Sequence, residues 1–293
     1  MCATHSFYRK TGLIMTVLVT GSRGSVGSAL VGLLHAQGLD ARAASSHPDQ
    51  LTTPEDVPRA RCDLTDPTSF PAALAGIDSV FLYAGASHID EFLAEAAKAG
   101  VRHIVLLSSI AVIGPDAATS PVAESHIEVE NALAASPITA TVLRPGAFAG
   151  NAKAWSWPIK AGGSVSVPYP GAHTDPLDER DIADVALAVL TRPELAGRAY
   201  TLGGPESLTF EDQAACIARV TGVPVAVEAV SREEWKDQMA EYLPGHFADA
   251  LLDWWQATDG VPVETTRTVE ELTGHPARPF AEWVAEHAAE FKA

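Results

Sequence analysis

The stretch Thr16-Val17-Leu18-Val19-Thr20-Gly21-Ser22-Arg23-Gly24-Ser25-Val26-Gly27-Ser28-Ala29-Leu30 decides the fold. A short β-branched strand runs straight into three glycines spaced GxxGxxG, and a helical pattern of apolar residues follows at once. Gly21 lets the chain turn sharply off the strand. Gly24 lets the backbone approach a diphosphate with no Cβ in the way, and Gly27 lets the helix lie close on the sheet. The start of the helix points unpaired N–H groups and the positive end of its dipole at the phosphates. Ser22, Arg23, Ser25 and Val26 complete the cradle. Glycine spacing alone is a weak signal; its place between a strand and a helix is the context that the mechanism requires. The competing reading is a tight strand-to-helix turn that holds no ligand.

Outward from this stretch, strand and helix alternate. Strands are expected at Ala41–Ala44, Arg61–Asp63, Ser79–Tyr83, His103–Leu107 and Thr139–Leu143. Helices are expected between them, with Gly38 and Gly100 closing two and Asp66 with Pro67 opening another. Repeated βα units imply a parallel sheet with helices on both faces, and the order 3-2-1-4-5-6 is expected, with ligands beyond the carboxyl ends of the strands. The reading is therefore α/β, a doubly wound parallel sheet. Residues 1–14 form an N-terminal extension, 15–150 the nucleotide-binding domain, and 151–293 a mixed segment that completes the sheet and builds a small lobe. Within that segment a strand at Tyr200–Leu202 and a helix at Phe210–Val220 with Thr209 as N-cap stand out.

Composition narrows the function. The chain has 293 residues, 47% hydrophobic, with a formal charge of −17. Such acidity argues against a nucleic-acid groove, where Lys and Arg must neutralise phosphates, and against anionic membranes. Three distant cysteines (Cys2, Cys62, Cys216) form neither a disulfide framework nor a zinc spacing, so a reducing cytoplasm is the expected location. No signal peptide or membrane span is read. The histidines show no metal-ligand spacing, and no metal is expected.

The end of the second strand reports on the nucleotide. Domains that bind NAD place a carboxylate there for the ribose 2′-OH. This chain reads Arg42-Ala43-Ala44-Ser45-Ser46-His47, and Asp40 stands too early. Ser45, Ser46 and His47 can donate to a 2′-phosphate and Arg23 can add charge, which favours NADP(H) over NAD(H). Asp63 and Leu64 are expected to flank the adenine, Asp63 either accepting from its amine or capping the next turn. Tyr83, Ala84 and Gly85 either run beside the ribose and diphosphate or form a plain tight turn.

At this point the landmarks add up. They are Val19-Thr20-Gly21…Gly24…Gly27, Cys62-Asp63-Leu64-Thr65-Asp66, Gly100-Val101-Arg102-His103-Ile104-Val105-Leu106-Leu107-Ser108-Ser109 and Ser125-His126-Ile127-Glu128-Val129-Glu130. Leu143-Arg144-Pro145-Gly146-Ala147-Phe148, Asp178-Glu179-Arg180-Asp181 and Leu202-Gly203-Gly204-Pro205-Glu206 follow. In this order the chain resembles the atypical short-chain dehydrogenase/reductases of the NmrA-like group, which includes NAD(P)H:quinone oxidoreductase and triphenylmethane reductase types. The resemblance implies a Rossmann domain binding NADPH, a C-terminal lobe forming the substrate pocket, and nicotinamide contacts from Pro145, Gly146, Ala147 and Phe148.

Ordinary short-chain dehydrogenases use a Tyr-x-x-x-Lys pair to move a proton. Here the equivalent helix carries His126 and Glu130 at the same spacing. One reading has Glu130 orient His126 as a donor near the nicotinamide; the other is a helix-stabilising pair. Ser109 stands where ordinary members hold a catalytic serine, or else it serves the strand end. Hydride transfer without a dedicated acid suits acceptors that stabilise the charge it brings, such as quinones, conjugated enones and cationic dyes. Trp155 and Trp157 are candidates for the wall of a flat pocket, against the plain alternative of core packing. The function expected is an NADPH-dependent reductase of a small electron-poor molecule. The alternatives are a non-catalytic NADP(H)-sensing regulator, or an isomerase or cyclase on the same fold.

Overall fold

The computed structural model describes residues 15–114 and 117–292. The extension expected for residues 1–14 lies outside them. Along the chain run β1 (Thr16–Val19), α1 (Ser25–Ala36), β2 (Asp40–Ser45), β3 (Arg59–Arg61), α2 (Phe70–Leu74) and β4 (Ser79–Tyr83). Next come α3 (Ile89–Ala99), β5 (His103–Leu107), α4 (Pro121–Ala135), β6 (Thr139–Pro145), α5 (Ser156–Lys160), β7 (Ser164–Val167) and β8 (His173–Thr174). The remainder is α6 (Glu179–Thr191), β9 (Ala199–Leu202), β10 (Leu208–Thr209), α7 (Phe210–Thr221), β11 (Ala226–Ala229), α8 (Arg232–Met239), α9 (Gly245–Ala257), α10 (Thr268–Thr273) and α11 (Phe280–Glu286).

The main sheet has the order β3-β2-β1-β4-β5-β6-β9. Its inner pairs are parallel, and β9 adds a seventh strand to the expected six. The inner strands are buried on both faces, which explains the nearly unbroken apolar runs Ser79–Tyr83 and His103–Leu107. Leu18, Val80, Leu82, Ile104 and Leu106 meet Phe70 and Phe92 in one core, the two rings edge to face at 5.2 Å. β3 lies two residues earlier than its apolar pattern suggests. As an edge strand of alternating Arg it carries no hydrophobic period.

Contacts divide the chain into two compact units. The first holds the described residues up to Gly114 together with Ala123–Pro145 and Glu179–Thr201, and therefore the glycine turn and most of the main sheet. The second is built on Gly146–Asp178 and the described residues from Leu202 on. It carries two small sheets, β7 with β11 (parallel) and β8 with β10 (antiparallel). Its core joins Ile159, Val165, Val167, Phe210, Ile217, Phe280 and Trp283. Thr209 caps α7 in a reciprocal box with Asp212, as the sequence indicates. Cys62 and Cys216 are buried free thiols, and burial pushes Cys62 up to about 12.

Candidate active site

At the carboxyl end of β1, the Thr20 hydroxyl donates to the Phe81 carbonyl (3.0 Å) and accepts from the Tyr83 N–H (3.1 Å), tying β1 to β4. Gly21 then takes φ +63°, and a Cβ on it would stand 2.9 Å from the Tyr83 ring. Ser22 is buried. Its hydroxyl donates to the Val19 carbonyl (2.7 Å) and accepts from the Ala44 N–H (3.1 Å), so this side chain braces β1 against β2 and faces away from any ligand. Arg23, Gly24 and Ser25 are exposed, whereas Val26 and Gly27 are buried.

The turn fits a dinucleotide's diphosphate on two counts. A Cβ on Gly27 would lie 2.5 Å from the Gly21 carbonyl oxygen, so only glycine lets α1 start this close to the turn. In addition, α1 begins at Gly24 with no side chain capping it and no acidic residue in its first turn. The N–H groups of that turn lack intrahelical acceptors, and no carboxylate competes for them.

β2 places Asp40 opposite Thr16, at the end of the sheet remote from the glycine turn. Ser45, Ser46 and His47 lie at the near end. The Ser45 hydroxyl accepts from the His47 N–H (3.1 Å), Ser46 Oγ lies 3.0 Å from His47 Nδ1, and Arg23 donates across to Gln50 (3.1 Å). Asp63 and Leu64 fall past β3. The Asp63 carboxylate accepts from the N–H (3.0 Å) and hydroxyl (2.7 Å) of Thr65, which hold its pKa below the usual range. Its turn-capping role is therefore filled. Leu64 packs where a Cβ on Gly85 would lie, 2.9 Å away, so Gly85 and Ala84 keep the end of β4 slim beside the half-exposed Tyr83.

At the ends of β5 and β6 the structure departs from expectation. Glu130 does not hydrogen-bond His126. Its Oε1 accepts from Ser108 Oγ (2.6 Å) and Arg144 Nε (3.1 Å), and its Oε2 accepts from Arg144 Nη2 (2.5 Å). A guanidinium offering a two-pronged ion pair from the neighbouring strand outcompetes an imidazole one helical turn away. His126 Nδ1 is buried and unpartnered, and burial lowers the ring's pKa against the opposing pull of Glu130. Ser109 accepts from the Ala111 N–H (3.2 Å) and opens a short 3₁₀ turn. Ser108 and Arg144, which the sequence reading passed over, are the residues that engage Glu130.

The second unit hides a further acid, Asp175, only 8% exposed. Burial raises its pKa to about 6, while N–H groups of its own backbone and of Ala147 pull the other way. A Cβ on Gly146 would stand 2.7 Å from one of its oxygens, and one on Gly203 would stand 2.2 Å from the other. The segment after β6 is further pinned by Gly146 N–H to Leu202 (2.9 Å), Leu177 N–H to Ala147 (2.8 Å) and Ala149 N–H to Leu177 (2.9 Å). Phe148 bridges Leu177. Trp155 is half-buried in an edge-to-face chain with Phe210 and Trp255 (5.8 and 4.9 Å), whereas Trp157 is 78% exposed.

Residues 21–193 match the family described as NAD(P)H-binding. The chain belongs to the NAD(P)H-binding family. Among its relatives, the (4-alkanoyl-5-oxo-2,5-dihydrofuran-3-yl)methyl phosphate reductase of Streptomyces griseus is 36% identical, over 94% of this chain and 99% of its own length. The NAD(P)H azoreductase of Xenophilus azovorans is 33% identical over the same shares. The NADPH-dependent quinone oxidoreductase of Escherichia coli has a solved structure that superposes with a TM-score of 0.76. It is 25% identical, with 92% of this chain and 99% of that one covered. Within this NAD(P)H-binding family the chain is an atypical short-chain dehydrogenase/reductase, an oxidoreductase with a nicotinamide cofactor. Among the described residues, no helix is long and apolar enough to cross a membrane.

Proposed function

We propose that the protein is a reductase that prefers NADPH and reduces a small, conjugated, electron-poor acceptor of the enone, quinone or azo class. The observation that carries the reading is the uncapped, acid-free start of α1 against Gly21, with Gly27 seated where no Cβ fits. The preference for the 2′-phosphate is supported by Arg23 leaning across to Gln50 and by the lack of any carboxylate in β2 beyond Asp40. The acceptor class is supported by the missing Tyr-x-x-x-Lys pair. It is also supported by the substrates named for the relatives, an unsaturated lactone, azo compounds and quinones, all of which delocalise the charge that a hydride brings.

When bound, the nicotinamide cofactor supplies the hydride. The chain's own contribution is to hold the diphosphate on the α1 N–H groups and the 2′-phosphate by Arg23, Ser46 and His47. His126 offers a hydrogen bond to the acceptor. The test is a panel of enones, quinones and azo dyes assayed with NADPH and with NADH. Oxidation of NADPH is expected to be faster, and Arg23→Ala is expected to lower that preference by roughly ten-fold, the loss of one charge-assisted contact. If no acceptor raises nucleotide oxidation above background, the reading fails.

A further inference from the structure

Glu130 is held by two strands at once. Leu107 of β5 pairs with Leu143 of β6, and the Ser108 N–H donates to the Leu143 carbonyl at 2.8 Å. Ser108 and Arg144 therefore stand side by side just past that pair, on the carboxyl edge of the sheet. Together they take both oxygens of a carboxylate whose side chain is only 14% exposed. His126 sits one turn before Glu130 on α4 and shares its face.

His126 has an asymmetric environment. Its Nδ1 is buried and meets no partner. A proton on that nitrogen would be an N–H without an acceptor, a loss of about 1–3 kcal/mol. The proton of the neutral ring therefore sits on Nε2, and the imidazolium, which needs both, is disfavoured. Burial acts in the same direction. The charged groups that bear on this balance are Glu130, from α4 itself, and Arg144, from β6; Ser108, at the end of β5, does not titrate.

We propose that Arg144 and Ser108 are positioning residues that keep Glu130 occupied, so that His126 remains a neutral imidazole with Nε2–H free to donate. Released from Arg144, a buried carboxylate one turn away draws a proton onto the ring to satisfy its own charge. His126 would then be locked to Glu130 instead of facing a ligand. The catalytic use of that donor rests on the reductase reading above. The bound NADPH would supply a hydride, one proton with two electrons, to the acceptor and be left as NADP⁺. Nε2–H hydrogen-bonds the charge that develops on the acceptor's oxygen or nitrogen, and water supplies the proton that completes the product.

The test follows the His126 ring by NMR through a pH titration, its signal assigned by disappearance in His126→Gln. In the wild type it should titrate below 6.5. In Arg144→Gln it should move up by about one unit or more, and in the double variant Arg144→Gln/Glu130→Gln it should fall back. In parallel, Arg144→Gln should lose about ten-fold in kcat with the Kd for NADPH held within about two-fold, and adding Glu130→Gln should restore most of kcat. A merely structural ion pair would show no such recovery on losing its second partner. If Arg144→Gln fails to fold, Ser108→Ala, which removes one donor and keeps the ion pair, should shift the ring upward by a smaller amount. An unmoved titration in the single variants, or no return in the double, overturns the proposal. The titration needs no turnover, so its failure is distinct from failure of the reductase reading, which a wild type that never oxidises NADPH would show.

Discussion

His103 opens β5 at the end of the sheet remote from the glycine turn, and it gives the fold a calculable weakness in acid. Its Nε2 lies 2.7 Å from the Thr141 hydroxyl, which also accepts from the Gly197 N–H at 3.0 Å. That hydroxyl has one proton to give and two lone pairs, so it can partner either tautomer of the neutral ring. Burial lowers the pKa from 6.5 to about 4. The unfolded chain binds a proton below 6.5, whereas the folded chain refuses it until about pH 4. The contribution is therefore neutral above 6.5 and turns against folding as pH falls through that window. A folded-state pKa of about 4 in place of 6.5 corresponds to about 3 kcal/mol once both states are protonated, and to about 2 kcal/mol near pH 5. The perturbation is His103→Gln, whose carbonyl can accept from Thr141 but does not titrate. Urea unfolding near pH 7 and near pH 5 gives the stability of each protein at each pH. The wild type should lose about 2 kcal/mol more than the variant between the two, because every other titrating group is common to both. Equal losses would refute the reasoning.

Two glycine substitutions test the packing around the site. Gly27→Ala places a Cβ 2.5 Å from the Gly21 carbonyl oxygen, a backbone atom that cannot swing away. It should weaken NADPH binding by about ten-fold or more in a fluorescence titration and cost about 1–3 kcal/mol of stability. Gly203→Ala drives a Cβ to 2.2 Å from Asp175 and should lower Tm by several degrees, about 1–3 kcal/mol. Adding Asp175→Ala should recover part of that loss, and strictly additive effects in this double-mutant cycle would show that the carboxylate is not what the glycine accommodates.

Much of the fold was legible in local pattern. β4 and β5 begin and end where their apolar runs do, and Gly38 and Gly100 take the positive φ that ends a helix. Asp66 accepts from the Thr68 N–H at the expected start, although the first turn there is 3₁₀. In the second unit the alternation Ser164-Val165-Ser166-Val167 carried a strand signal that the surrounding glycines and prolines obscured. Its partner β11 lies far along the chain, so no turn motif announced the pair. The site divides in the same way. The glycine cradle could be read because each glycine serves a neighbour a few residues away. Asp175 could not, because its glycine collar comes from Gly146 and Gly203, on the two sides of it in sequence.

The residue string alone determined the glycine turn, the helix dipole aimed from it, the alternation of strand and helix, and the absence of a carboxylate in β2 after Asp40. All of these depend on contacts within one turn or one strand, where spacing dictates geometry. Tertiary structure decided which partner each polar group took. Helical spacing brings His126 and Glu130 to the same face, but the register of β5 against β6 puts Ser108 and Arg144 at that carboxylate first. A buried charge takes the strongest donors within reach, and which donors are within reach is settled only when the whole sheet has assembled.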